Sequence, residues 1–287
     1  ASLSEDDRQA RKQGNFVQSG GKVLKNFRPA IHEIDMGKFQ LNHDMRIFTS
    51  VDGGWVHPTA WLWHAVTPDG QITTFFEMRE SYTTIKGWSE RVKAYENTLK
   101  YADTGERVRI YMRVGDPALR QTRANTGVSD IGEYARNGIY LAVDGVPAGP
   151  NSVDVGLKKL DEYFQPNPKT GIPTWRYTSN CYQLRDEMLK YHWETWANKK
   201  LEMKNAAKTK PHKVNDDLVD SLRYFISTMP DLSFEVSSRT TEATDRLGAI
   251  PDIPVPFIDS YPREEKDYRE FSSMEGDSGY YLQDSSI

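Results

Sequence analysis

The sequence predicts an α/β fold, a mixed sheet in which an antiparallel meander joins parallel strands, flanked by helices. Three observations predict it. Arg46–Asp52, Ala60–Val66 and Gln71–Met78 are rich in β-branched and aromatic residues, and Pro68-Asp69-Gly70 supplies a hairpin turn between the last two. From residue 85 onward helical and extended patterns alternate, as crossover connections between parallel strands require. Breaks at Gly53-Gly54, Gly115-Asp116-Pro117 and Asn137-Gly138 fall where these elements would end.

The first strand, Arg46–Asp52, stops at Gly53-Gly54. Ile85, Trp88, Val92, Tyr95 and Leu99 recur at helical spacing, which predicts a helix over 85–99. A fourth strand is expected from Arg107 to Val114. Ser129 is placed to cap a short helix closing at Asn137-Gly138, before a strand over Ile139–Val143. A helix over Ser152–Phe164, a short strand over Thr174–Tyr177, a helix over Cys181–Trp193 and a last helix beginning near Asp216 complete the order. Residues 1–44 read as a polar linker or lead-in, 45–235 as the folded domain, and 236–287 as an acidic, flexible C-terminal tail.

Composition limits the function. At 287 residues the chain can bury a sizeable core. Its mean hydropathy of −0.70 and lack of a ~20-residue apolar run argue against a membrane span. Cys181 is the single cysteine, which excludes an intrachain disulfide and a cysteine-based zinc site and suits an intracellular setting. The net charge is −4, but it is unevenly spread. Between Lys199 and Lys213 lie six lysines (Lys199, Lys200, Lys204, Lys208, Lys210, Lys213) and one acid, whereas residues 241–287 carry eleven acids and four bases. Such a lysine cluster can track a phosphate backbone, giving salt-sensitive DNA binding without base readout. The alternative is an ordinary solvated loop.

The richest stretch is Asn215-Asp216-Asp217-Leu218-Val219-Asp220-Ser221-Leu222-Arg223-Tyr224-Phe225. On a helix Asp217 and Asp220 share a face, while Leu218, Leu222 and Phe225 point toward a core. Two aspartates on one face repel and call for a cation, and a divalent metal suits oxygen ligands. Capping by Asn215 or Asp216, with Asp217 favoured by the helix dipole, accounts for the first acids but less well for Asp220. Asp52 and Asp116 end strands expected to be neighbours, and in open α/β sheets functional groups gather at the carboxyl ends of strands. Each could instead belong to an ordinary turn or cap. Together the four acids would suffice for two divalent cations. His57 and His64 could contact phosphate or lie on a strand face. His64, inside an aromatic strand, reads as packed, and the tryptophans read as core.

Several of these segments resemble the nuclease domain of tailed-phage large terminases. The resemblance rests on Val51-Asp52-Gly53-Gly54, His57-Pro58-Thr59-Ala60, Val114-Gly115-Asp116-Pro117-Ala118-Leu119, Gly127-Val128-Ser129-Asp130-Ile131 and the 215–224 stretch, within about residues 25–228. It implies a ribonuclease-H-like fold and a Mg²⁺- or Mn²⁺-dependent endonuclease, with two ions, that cuts concatemeric viral DNA during packaging. It matches Asp52, Asp116 and Asp220 to the family's metal-binding acids and Asp217 to a position that is acidic or histidine in related nucleases, including Holliday-junction resolvases. It also implies double-stranded DNA, a portal or procapsid and a small terminase subunit as partners, in the host cytoplasm. No G-x-x-x-x-G-K-[ST] phosphate loop occurs, so the packaging ATPase is expected to be absent from this chain. With no initiator Met, an excised C-terminal domain is the expected origin. Two rivals are a junction-resolvase-like nuclease and a non-catalytic module whose acidic tail docks on a capsid or portal.

Overall fold

A computed structural model describes residues 21–123, 127–144, 146, 152–193, 211 and 215–228. In chain order the elements are α1 (Pro29–His32), β1 (Glu33–Ile34), β2 (Arg46–Asp52), β3 (Thr59–Val66), β4 (Ile72–Glu80), α2 (Ile85–Thr98), β5 (Ile110–Gly115), α3 (Asp130–Arg136), α4 (Ser152–Phe164), β6 (Trp175–Thr178), α5 (Tyr182–Lys190) and α6 (Asp217–Thr228). Short 3₁₀ turns cover Met36–Lys38 and Pro117–Arg120.

Six strands form one mixed sheet in the order β1-β6-β4-β3-β2-β5. The expected meander is present: β3 pairs antiparallel with both β2 and β4. The expected crossover is present too. Helix α2 returns the chain so that β5 lies parallel to β2, with Val51 opposite Gly115. Thr84 starts α2 by accepting a hydrogen bond from Gly87 N, and Ser129 starts α3 by accepting one from Gly132 N.

The period of two along each strand divides the core into two layers. Ile47 and Val51 of β2, with Trp61 and Trp63 of β3, face α2 and α3 and meet Trp88, Val92, Ile131 and Tyr134. Phe48 of β2 and Ala60 and Leu62 of β3 face the other way. They pack with Leu157 and Leu160 of α4, Leu184 of α5, and Leu218, Leu222 and Phe225 of α6. Leu218, Leu222 and Phe225 are all fully buried, as their spacing predicts. Burying each contributes roughly 1.5–3 kcal/mol, which fixes α6 to the sheet.

Four expectations need correction. The folded part begins earlier than residue 45: Val23, Leu24 and Phe27 join the α6-side core, and β1 pairs parallel with β6. The sparse apolar positions of this stretch are local anchors rather than a periodic face, so pattern did not mark them. The fourth strand joins β2 only from Ile110, because Arg107 and Val108 pair with Lys100 and Leu99. Ile139–Val143 does not form a strand. Its apolar residues Ile139, Leu141 and Val143 enter the α2-side core, but the chain bridges β5 only at Ala142. Finally, α5 ends at Lys190, because His192 and Trp193 pair their backbones with Lys22 and Gly21. The lysines at 199, 200, 204, 208, 210 and 213 and the tail 236–287 lie outside the described residues.

Candidate metal centre

The site is built at the carboxyl end of β2 and β5. The Asp116 backbone N–H donates to Val51 O at 3.1 Å, so the two strands end side by side, β2 on Asp52 itself and β5 on Gly115 with Asp116 next. Glycines make this close approach possible. A Cβ on Gly53 would lie 2.4 Å from Leu119 Cδ2, and one on Gly115 3.1 Å from Leu119 Cδ1. Leu119, carried by the 3₁₀ turn after Asp116, therefore packs over both strand ends. The ordinary role weighed for Asp116 is realised as well: its Oδ1 accepts from Ala118 N at 2.9 Å and caps that turn.

Helix α6 brings the other two acids. A buried polar chain sets its register on the sheet. Ser50 Oγ lies 2.8 Å from Ser221 Oγ and 2.9 Å from His64 Nε2, and His64 Nδ1 lies 2.9 Å from Thr74 Oγ1. Ser50 is two residues before Asp52 and Ser221 is next to Asp220, so this contact holds both acids in the same neighbourhood. The His64 ring also stacks on Phe225 with centroids 4.0 Å apart. Burial pushes the His64 imidazole down to about 3, so it is a neutral packing group. The alternative of a phosphate contact does not apply to it. His57 is exposed in the β2–β3 loop.

Asp116, Asp217 and Asp220 all lie close enough to Asp52 to act on its carboxyl. Enclosure raises the Asp52 carboxyl well above the usual carboxylate range, and Asp220, Asp116 and Asp217 add to this by charge repulsion. Arg223 opposes the shift. Asp216 sits just before the helix and its carbonyl accepts from Asp220 N at 2.7 Å, which is a backbone cap.

Two arginines occupy this site, and sequence reasoning missed both. Arg223 Nε donates to Asp220 Oδ1 at 2.9 Å within the helix. Arg79, from β4, donates to Asp217 Oδ2 through Nη2 at 2.7 Å and Nε at 3.1 Å, and reaches Asn215 Oδ1 and Glu187 Oε1 as well. Glu187 of α5 accepts from Leu218 N and Val219 N through Oε2, capping α6 from a distant helix. Burial, chiefly, raises the Glu187 carboxyl to about 8. The three-residue spacing of Asp220 and Arg223 was visible in the sequence, whereas nothing in it tied Arg79 or Glu187 to position 217. Guanidinium groups thus tie down the two acids on α6.

Among the described residues no three His, Cys, Asp or Glu side chains form a ready ligand set for a metal ion. The donor chemistry nevertheless fits a hard divalent cation, since all four acids offer carboxylate oxygens. The arginine bonds fall on Asp217 Oδ2 and Asp220 Oδ1, which leaves the other oxygen of each outside these ion pairs.

No protein-family model matches the chain, and no curated protein matches it. Solved structures do. The large terminase of the thermophilic bacteriophage D6E aligns at 20% identity with a TM-score of 0.54, over 79% of this chain and 52% of that one. The nuclease domain of the P22 large terminase aligns at 18% identity with a TM-score of 0.53, over 75% of this chain and 97% of that one. The chain thus spans about half the length of the D6E protein and nearly the whole of the P22 domain. It has the ribonuclease-H-like α/β fold of large-terminase nuclease domains.

Proposed function

We propose that this chain is a metal-dependent DNA endonuclease that cleaves concatemeric viral DNA during genome packaging. The observation that carries the reading is the convergence of Asp52, Asp116, Asp217 and Asp220, from three separate segments, on one end of the sheet. The coverage of the P22 nuclease domain supports the choice of fold family. Asp52, at the end of an interior strand and repelled by the other three acids, is the group that would gain most from a bound cation. Asp116 would complete a ligand pair from the neighbouring strand, and Asp217 and Asp220 would close the site from α6. Mg²⁺ or Mn²⁺, as two ions, would supply an acidified water and charge neutralisation at the scissile phosphate. The protein's own part is to hold the carboxylates on rigid elements: β2 and β5 by their paired backbones, α6 by its apolar face and the Ser50–Ser221 contact.

The substrate in this reading is double-stranded DNA, with the lysines at 199, 200, 204, 208, 210 and 213 contacting its backbone. The partners are a portal or procapsid and a small terminase subunit, in the host cytoplasm. No helix among the described residues is long and apolar enough to cross a membrane.

The test is nicking and linearisation of supercoiled plasmid with Mn²⁺. Asp52→Ala and Asp220→Ala should each slow cleavage by roughly a hundredfold or more, the loss of a few kcal/mol at ~1.4 kcal/mol per tenfold. Parent-like cleavage by both variants would discard the assignment. Faster cutting of four-way junctions than of linear duplex would favour the resolvase-like alternative.

A further inference from the structure

We infer that Arg223, assisted by Arg79, is a built-in countercharge that keeps the acidic site assembled without metal and competes with divalent cations for it. This deepens the proposed function and rests on its assignment of the acids. Arg223 is only 3% exposed, on the helix that carries Asp217 and Asp220. Its Nε is bonded to Asp220 and its guanidinium lies 4.5 Å from the centroid of the Tyr224 ring. The fold leaves a slot for its stem: a Cβ on Gly156 of α4 would fall 2.6 Å from Arg223 Cγ and 2.9 Å from Cδ. A side chain so enclosed cannot swing into solvent, and a buried guanidinium is tolerated only when paired. Arg79, from β4, plays the matching part for Asp217 and shares its charge with Glu187.

The two arginines divide the site into unequal halves. Asp217 and Asp220 each have a guanidinium partner. Among the described residues no Lys or Arg forms an ion pair with Asp52 or Asp116, which lie on the sheet. A divalent cation would be drawn to the pair without an ion-pair partner and would meet Arg223, whose charge already reaches Asp52, beside it. Metal affinity and the Arg223 ion pair are therefore coupled, and the coupling is reciprocal. Removing the arginine should weaken the metal-free protein and strengthen its hold on the ion. A ligand-orienting arginine would do the opposite, because its loss would loosen Asp220 and weaken metal binding.

The experiment titrates MnCl₂ into the full chain by calorimetry and records thermal unfolding in EDTA and in Mn²⁺. The proteins are the parent, Arg223→Gln, Arg223→Lys and Gly156→Ala. Arg223→Gln should bind Mn²⁺ at least ~tenfold more tightly, as expected when one positive charge near a divalent ion is removed. It should also unfold at a lower temperature in EDTA and recover more of its stability in Mn²⁺ than the parent does. Arg223→Lys keeps the charge and should retain affinity near that of the parent. Gly156→Ala keeps the guanidinium but displaces its stem, and should fall between. If Arg223→Gln does not fold without metal, the Lys and Gly156 variants carry the test, and equal Mn²⁺ affinity in Gly156→Ala and parent overturns the inference. Parent binding with equal or weaker binding by Arg223→Gln also overturns it, while the proposed function stands. Binding by Arg223→Gln alone supports it, with Arg223 outcompeting the ion at the assigned acids in the parent. Absence of binding by both overturns both.

Discussion

The two faces of the sheet are built from different chemistry. On the α2/α3 face the strands present Trp61 and Trp63 against Trp88 and Tyr134, all fully or almost fully buried. Among the described residues the ring N–H of Trp63, that of Trp88 and the Thr49 hydroxyl have no hydrogen-bond partner. The other face also has a large apolar core, but threads hydrogen bonds through it. Ser50, His64, Thr74 and Ser221 form a chain, and Trp175 Nε1 donates to Thr74 Oγ1 at 2.9 Å. Apolar packing is non-directional and holds layers together without fixing a helix to the nearest residue. Hydrogen bonds are directional, and an unmade one is costly in a buried place. The face that carries the acids is the one whose helix is fixed in register. The aromatic face supplies stability, and the hydrogen-bonded face supplies position.

This contrast can be broken experimentally. The largest effect is expected from Trp63→Ala, which removes a fully buried ring and should cost ~3–5 kcal/mol in chemical denaturation. Its Mn²⁺ affinity should stay near that of the parent wherever the variant is folded. A large change in affinity would deny the division of labour. Ser221→Ala should cost less, ~1–3 kcal/mol, because it leaves Ser50 with one partner fewer. Unlike Trp63→Ala, it should weaken Mn²⁺ binding at equal folded fraction, and an unchanged calorimetric titration would show that this contact does not position Asp220.

The smallest effect is a pH slope. The His64 imidazole is held near 3 by burial against about 6.5 when unfolded. The unfolded chain therefore takes up a proton below pH 6.5 that the folded one refuses. The stability associated with neutral His64 is fully present above pH 6.5 and falls away as pH drops toward 3. His64→Gln should flatten the fall in melting temperature between pH 6.5 and 5, and equal slopes in variant and parent would remove His64 as its cause.

Much of this architecture was legible because it follows from periodicity. The meander, the α2 crossover, the α4 span and the apolar stripe of α6 each arise from a local pattern of two or 3.6 residues. What misled the reading were places where a distant segment takes the hydrogen bonds. Gly21-Lys22 ends α5 early, Lys100 claims Arg107, and Phe27 reaches the core from a stretch without pattern. The acids were legible for a different reason. Asp52 and Asp116 stand at strand ends beside glycines, and Asp217 and Asp220 share a helix face that packing alone does not explain.

By itself the sequence determined the α/β class, the strand that Asp52 ends, and the pairing of Asp217 with Asp220, because these depend on neighbours within a few residues. Only the tertiary structure decided that the cations at those helix acids are Arg79 and Arg223, that Glu187 caps α6, and that Gly156 clears room for the Arg223 stem. The physical reason is range. A helix face or a strand end is encoded locally, whereas the neutralisation of a buried charge depends on whatever folding brings within a few ångströms of it.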